Sequence, residues 1–232
     1  MIDVAANWQA VCERVATAAR RAGRDPESVR IIAVTKTRPI EMIEAVIAAG
    51  ATDIGENYVQ EAAEKVPGIG APVVWHLIGH LQRNKAARAA ELFQVIHTVD
   101  GSALGATLAR HAEAAGQPLR VLIEVNIGGE ATKGGVAPAE VAALLATLAG
   151  QRWLLIDGLM AIPPVAPSAE AVRPHFRAMR ELGERLRLDA PPNAPLRELS
   201  MGMSDDFEVA IEEGATMVRI GRAIFGERTR TE

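Results

Sequence analysis

Eight times along this chain a short apolar run is followed by a helical pattern, and that alternation constrains the fold more than any other feature. The runs cover residues 31–34, 52–55, 73–78, 94–98, 119–125, 154–160, 198–201 and 216–220. Each has the length of a buried strand. The helical patterns behind them cover 40–49, 59–65, 84–92, 102–115, 138–148, 169–186, 207–213 and a short turn over 221–226. Strands separated by helices pair in parallel. Eight such units in 232 residues predict an α/β fold, a closed (β/α)8 barrel of the TIM type. An open doubly wound sheet is the alternative. One extra helix leads the chain over 4–22. Val4, Trp8, Val11, Cys12, Val15 and Ala19 recur there at spacings of three and four and give it one apolar face, and Gly23 stops it. No shift in composition marks a boundary, so a single domain over residues 1–232 is expected.

Parallel barrels carry their chemistry at the carboxyl ends of the strands. The first strand runs into Thr35, Lys36, Thr37, Arg38 and Pro39. Proline suits the first turn of a helix, so Lys36 stands just before a βα loop. A solvated lysine is protonated and a poor nucleophile. One held at the rim of an apolar barrel loses its proton more readily and can form a Schiff base. On this stretch alone a surface lysine that follows a strand is the better explanation, and the rest of the chain has to overturn it. The chain has 21 Arg and only 4 Lys, which leaves few lysines to test.

The seventh strand ends in Ser200-Met201-Gly202-Met203-Ser204, and the eighth in Arg219-Ile220-Gly221-Arg222-Ala223. Loops at these two positions, with a helix N-terminus, often form a phosphate site. Small residues admit close backbone approach, free N–H groups favour an anion, and serine hydroxyls add donors. Ordinary turn residues are the competing explanation. Strands one and eight are neighbours in a closed barrel, so a phosphate held there lies near Lys36. A phosphate site beside a Schiff-base lysine suggests pyridoxal 5'-phosphate, PLP.

Seven segments carry a resemblance to a known family. They are Ala33-Val34-Thr35-Lys36, Gly55-Glu56-Asn57-Tyr58-Val59-Gln60-Glu61, Trp75-His76-Leu77-Ile78-Gly79, Leu81-Gln82-Arg83-Asn84-Lys85, Gly158-Leu159-Met160, Leu199-Ser200-Met201-Gly202-Met203-Ser204-Asp205 and Val218-Arg219-Ile220-Gly221. In that order they resemble the pyridoxal phosphate homeostasis proteins of the YggS/PROSC type, and the motifs run from residue 33 to 226. The resemblance implies an alanine-racemase-like barrel of PLP fold type III. It implies a protein of vitamin B6 homeostasis that holds PLP covalently and has no established turnover; a cytoplasmic location is expected separately, from the lack of a signal-peptide pattern and of any membrane-length apolar run. It implies Lys36 as the Schiff-base lysine. Ser200, Gly202, Ser204 and Gly221 would contact the phosphate, Arg219 would face the pyridine nitrogen, and Asn57 and Met160 would lie near the ring. Lys133 matches a family lysine with a secondary cofactor role, against which stands a solvated loop lysine. His80 and Arg222 stand where the family varies, and neither side chain is given a role.

The remaining candidates have plainer explanations. His76 and His80 straddle a strand end with no third ligand in view, so ordinary hydrogen-bonded histidines are expected and no metal. Asp205 or Asp206 is expected to cap the helix that follows. Glu56 is expected to make a structural hydrogen bond. Gly128-Gly129 and Gly134-Gly135 lack the setting of a dinucleotide fingerprint and suggest a mobile loop over the site mouth. A net charge of −4 and scattered basic residues give no sign of a nucleic-acid partner. The single Cys12 rules out a disulfide within the chain. The first residues lack the pattern of a signal peptide, and no apolar run reaches membrane-spanning length.

Carrier and catalyst remain as the two leading functions. A carrier would hand PLP to apoenzymes. A small PLP-dependent amino-acid racemase would need two acid–base groups. Similar racemases take the second, a tyrosine, from a β-rich domain across a dimer. This chain stops at Glu232 without such a domain and has Tyr58 as its one tyrosine, so the carrier and a monomeric state are expected. A barrel enzyme for another phosphorylated metabolite fits the loops but leaves Lys36 unexplained.

Overall fold

The computed structural model describes residues 2–130 and 132–227. The extreme ends of the domain expected over 1–232 lie outside the described residues, as does Ala131 of the glycine-rich loop. The strands are β1 (Arg30–Val34), β2 (Asp53–Glu56), β3 (Val74–Leu77), β4 (Val95–Val99), β5 (Leu119–Glu124), β6 (Leu154–Met160), β7 (Glu198–Ser200) and β8 (Met217–Ile220). They pair in chain order, all in parallel, and β1 closes on β8 through Ile31↔Val218 and Ile32↔Arg219. That closure excludes the open sheet.

The helices are α1 (Val4–Arg21), α2 (Ile40–Ala48), α3 (Val59–Lys65), α4 (Ala86–Leu92), α5 (Ser102–Ala115), α6 (Val141–Ala149), α7 (Ala169–Arg187), α8 (Phe207–Glu212) and α9 (Arg222–Phe225). Asp3 caps α1 by accepting the Ala6 N–H at 2.9 Å, and Ser168 caps α7 at Ala171. The extra helix α1 covers the closing seam. Its Arg14 pairs with Glu208 of α8, and the Asn7 side chain donates to the Ile224 carbonyl of α9 at 2.9 Å. Pro39 sits one position earlier than expected. It is the N-cap of α2, in extended geometry with ψ 160°, because the chain is still climbing out of the barrel there.

The apolar core fills the space between barrel and helices. Inside the barrel a small separate cluster, Val95, Leu122 and Met160, is surrounded by polar side chains. Contacts between strands that are not neighbours show which groups point inward. Arg30 of β1 reaches Glu198 of β7 at 3.2 Å, and His97 of β4 reaches Ser200 of β7 at 3.0 Å. A barrel interior of this type is usually branched aliphatics, so each buried polar group here needs a partner. Gly158 of β6 allows the close approach of β7: a Cβ there would fall 1.8 Å from the Glu198 carbonyl oxygen.

Candidate functional site

A cavity of about 730 Å³ opens at the carboxyl ends of β1, β2, β3 and β8, and Lys36, Asn57, Ser204, Arg219 and Gly221 all line it. Five of the eight expected site residues are therefore brought together. The other three are not on its wall. Met160 is fully buried in the interior cluster. Ser200 is fully buried, and its hydroxyl takes the Arg219 N–H instead of facing the cavity. Gly202 turns the chain at φ +94°, where a Cβ would lie 2.6 Å from that of Ala210. Its carbonyl accepts the Arg219 backbone N–H at 3.0 Å.

The Lys36 turn is clamped on both sides. The Thr35 carbonyl accepts Lys65 Nζ at 2.7 Å, and the Thr35 hydroxyl donates to Glu56 Oε1 at 2.6 Å. On the other side the Thr37 N–H donates to Glu61 Oε1 at 2.5 Å, with Thr37 in the left-handed region at φ 61°. Lys65 Nζ joins the two carboxylates, 2.7 Å from Glu56 and 2.6 Å from Glu61. Burial pushes the Glu56 carboxyl up, against the pull of Lys65 and Thr35. Glu56 is thus the structural group expected, and it serves the lysine turn.

Arg219 on β8 is nearly fully buried under the cavity. Nη1 donates to the Ser200 carbonyl at 2.7 Å and to Ser200 Oγ at 2.6 Å, and Nη2 donates to the Ala161 carbonyl at 2.9 Å. Burial lowers its pKa to about 10, with Asp206 and Glu124 opposing, so it stays protonated at neutral pH. Beside it, Ser204 Oγ accepts the Ala223 N–H at 3.2 Å at the start of α9. Arg222 pairs with Asp205 across the cavity mouth. Asp206 stands at the N-cap of α8 but does not cap it: its carboxylate accepts the Met203 N–H at 2.6 Å and closes the Ser-Met-Gly-Met-Ser loop on itself. The capping expected of Asp205 or Asp206 is therefore replaced by loop closure and by the Arg222 pair.

A second cavity, about 130 Å³, lies beside the first, and Ile162 borders both. Glu124, Asn126, Lys133 and Gly134 line it. Of the glycine-rich loop, Lys133 and Gly134 border this second cavity, and none of its described residues lines the first. Asn126 exchanges hydrogen bonds with Glu130 at 2.8 and 3.1 Å, and Lys133 Nζ donates to the Pro163 carbonyl at 2.9 Å. Glu124 leaves Oε2 buried and unpartnered. Burial, with Asp100 adding, pushes its pKa up to about 7. A raised carboxyl pKa gives stability that is present below the unfolded value of 4.5 and is lost as pH rises through about 7. Glu124→Gln is expected to remove that loss, about 3 kcal/mol, and to flatten the fall in urea-unfolding stability over this window. An unchanged pH profile in the variant would contradict it.

His76 bonds Asp53 and His97, whereas His80 is exposed and only 3.8 Å from Asp100. Among the described residues no cluster of three or more His, Cys, Asp or Glu could hold a metal ion.

With this geometry in view, the profile of the alanine racemase N-terminal domain family matches residues 6–229. A pyridoxal phosphate homeostasis protein of Pseudomonas aeruginosa is 45% identical over 231 residues, 98% of this chain and 97% of that protein. The chain belongs to the pyridoxal phosphate homeostasis protein family. Among solved structures, the PipY protein of Synechococcus elongatus with PLP bound superposes with a TM-score of 0.81 at 37% identity. That match covers 93% of this chain and 100% of PipY. The alanine racemase of Clostridium difficile superposes with a TM-score of 0.72 at 13% identity, covering 95% of this chain and 56% of the racemase. At that identity it shares the barrel alone. This family member therefore has the alanine-racemase-like (β/α)8 barrel that its sequence predicts.

Proposed function

We propose that this chain holds PLP as a Schiff base on Lys36 and acts in intracellular vitamin B6 homeostasis without efficient catalysis. The observation that carries the reading is the placement of Lys36 and Arg219 on one cavity wall beside Gly221. Homeostasis-family relatives over nearly the full length, and a PipY structure with PLP bound, support it.

The residues present fit the group. The cavity lies in the 300–1,000 Å³ range of small-molecule sites, at about 730 Å³. Gly221 lets the end of β8 lie close against β1, since a Cβ there would sit 3.3 Å from the Val34 carbonyl oxygen. PLP, when bound, supplies a reactive aldehyde and an electron-withdrawing pyridine ring. Lys36 supplies the amine, and the clamped turn fixes where that amine is carried. Arg219 only donates hydrogen bonds, so a ring nitrogen facing it stays unprotonated and the ring is a weak electron sink. Ser204, Gly221 and the opening of α9 stand where the phosphate would go, and Asn57 lies across the cavity.

Racemisation needs a second acid–base group opposite the lysine. Tyr58, the sole tyrosine, stands just before α3, is 58% exposed and is absent from the cavity wall. This supports a carrier. Within this proposal the protein is a single-domain, cytoplasmic monomer, and its recipients are apoenzymes that use PLP.

The test is visible absorbance of the protein mixed with PLP, then borohydride reduction and peptide mass mapping. A yellow band trapped on Lys36 is the expected result. A protein that stays colourless, with no adduct on Lys36, overturns the reading. Exchange of D- and L-alanine or serine at saturating PLP should stay well below about 1 per second, the lower end of ordinary enzyme turnover. Faster exchange makes the chain a racemase.

A further inference from the structure

A hydrogen-bonded file of buried side chains crosses the barrel interior beneath the cavity. Asp53 Oδ1 lies 2.9 Å from His76 Nε2, and His76 Nδ1 lies 2.9 Å from His97 Nε2. His97 Nδ1 lies 3.0 Å from Ser200 Oγ, which accepts Arg219 Nη1 at 2.6 Å. Both histidines and the serine are fully buried. The file runs from β2 through β3 and β4, crosses the interior to β7, and ends on β8.

Donor and acceptor rules give it one direction. A guanidinium only donates, and an ionised carboxylate only accepts. Burial works against the Asp53 carboxylate, but hydrogen bonds from His76 and Thr52 hold it below its ordinary value, so it is ionised. His76 therefore carries a proton on Nε2. Burial pushes His76 down and His97 well down, so both rings are neutral. A neutral His76 has a bare Nδ1, which accepts Nε2–H of His97. A neutral His97 has a bare Nδ1, which accepts the Ser200 hydroxyl hydrogen. Ser200 is then left with lone pairs only toward Arg219, which is what Arg219 requires. A doubly protonated His76 would reverse the middle of the file and strip the Ser200 hydrogen of its acceptor there.

We infer that Asp53, acting through His76, His97 and Ser200, is a positioning residue for Arg219. The file fixes Ser200 as an acceptor and holds one edge of the guanidinium down. Three of the five N–H groups of Arg219 are engaged on Ser200 and Ala161, and the same side chain lines the cavity. The same direction removes Ser200 as a donor to a phosphate. Asp53 thus acts on the cavity from the opposite end of the barrel. Its last link, from Arg219 to a ring nitrogen, rests on the function proposed above.

Nitrogen-15 NMR of histidine-labelled, ligand-free protein tests the file without PLP. Both buried rings are expected neutral, with the proton on Nε2, at about pH 7. A proton on Nδ1 of either ring, or a doubly protonated ring, overturns the inference. PLP titration of Asp53→Ala tests the positioning. Loss of one charge-assisted hydrogen bond at the end of the file is expected to weaken binding by about tenfold and to disturb the His76 and His97 signals. Asp53→Asn keeps an oxygen that accepts from His76 and should recover most of the affinity. Unchanged PLP affinity in Asp53→Ala, or no recovery in Asp53→Asn, overturns the positioning role. If Asp53→Ala does not fold, the wild-type histidine spectrum and Asp53→Asn decide. A wild-type protein with the expected histidine pattern that binds no PLP overturns the proposed function and the link to the ring, and leaves the file itself supported.

Discussion

Lys36→Ala is expected to abolish the borohydride-stable PLP adduct and its visible band while the barrel still folds. The two halves of this expectation have different causes. The covalent link needs a primary amine at one place on the cavity wall, and Lys36 is where the described residues put one. The fold is held by other groups. The turn is clamped through the Thr35 carbonyl, the Thr35 hydroxyl and the Thr37 N–H, none of which belongs to the Lys36 side chain. PLP should still bind the variant, reversibly and more weakly, through Arg219 and the Ser204–Gly221 side of the cavity. Absorbance, peptide mapping after reduction, and urea unfolding read the three parts separately. An adduct at full stoichiometry in the variant would move the reactive lysine elsewhere, with Lys133 the first position to examine. A large loss of stability would mean that the lysine side chain itself supports the barrel.

Much of the fold was legible because it is local. Strand and helix patterns alternate within a few residues of each other, and eight repeats in this length leave few architectures. The strand-end positions of Lys36, Arg219 and Gly221 followed from that alternation. Side-chain direction was less accessible. Ser200 is the last residue of β7, and strand parity decides between cavity and interior. Parity here is set by His97, 103 residues away, which no local pattern reveals. Glu124 was missed for the same reason. It ends β5 facing inward, and only the closed barrel brings Asp100 and Arg219 within electrostatic reach. Asp206 misled because capping and loop closure ask for the same residue type at the same place. Lys65 pairs with Glu61 four residues before it on α3, but its other partner, the Thr35 carbonyl, lies 30 residues away, beyond any local pattern.

Lys65→Met is expected to cost about 3–5 kcal/mol, the usual penalty for breaking one side of a buried ion pair. Lys65 is buried and Glu56 is fully buried, so solvent cannot replace the lost ammonium. Glu56 Oε2 already lacks a hydrogen-bond partner, and removal of Lys65 leaves Oε1 only the Thr35 hydroxyl. Burial already raises the Glu56 pKa, and it rises further without the lysine. A raised carboxyl pKa means that stability present at low pH is lost as pH climbs through the folded value. The defect should therefore be larger at about pH 8 than at about pH 5, by urea unfolding at each. Glu56→Gln in the same chain should recover much of the loss, because an amide needs no counter-charge. The effect on PLP follows from the same bonds. Lys65 holds the residue before Lys36 directly, and it holds the residue after it through Glu61. Without it the amine wanders, and adduct formation should slow even where the protein is folded. A Lys65→Met protein that loses less than about 1 kcal/mol and traps PLP at the wild-type rate would show that the Thr35 and Thr37 backbone keeps the turn unaided. The left-handed Thr37 makes that outcome the less favourable one, since a threonine holds φ 61° only where its surroundings impose it.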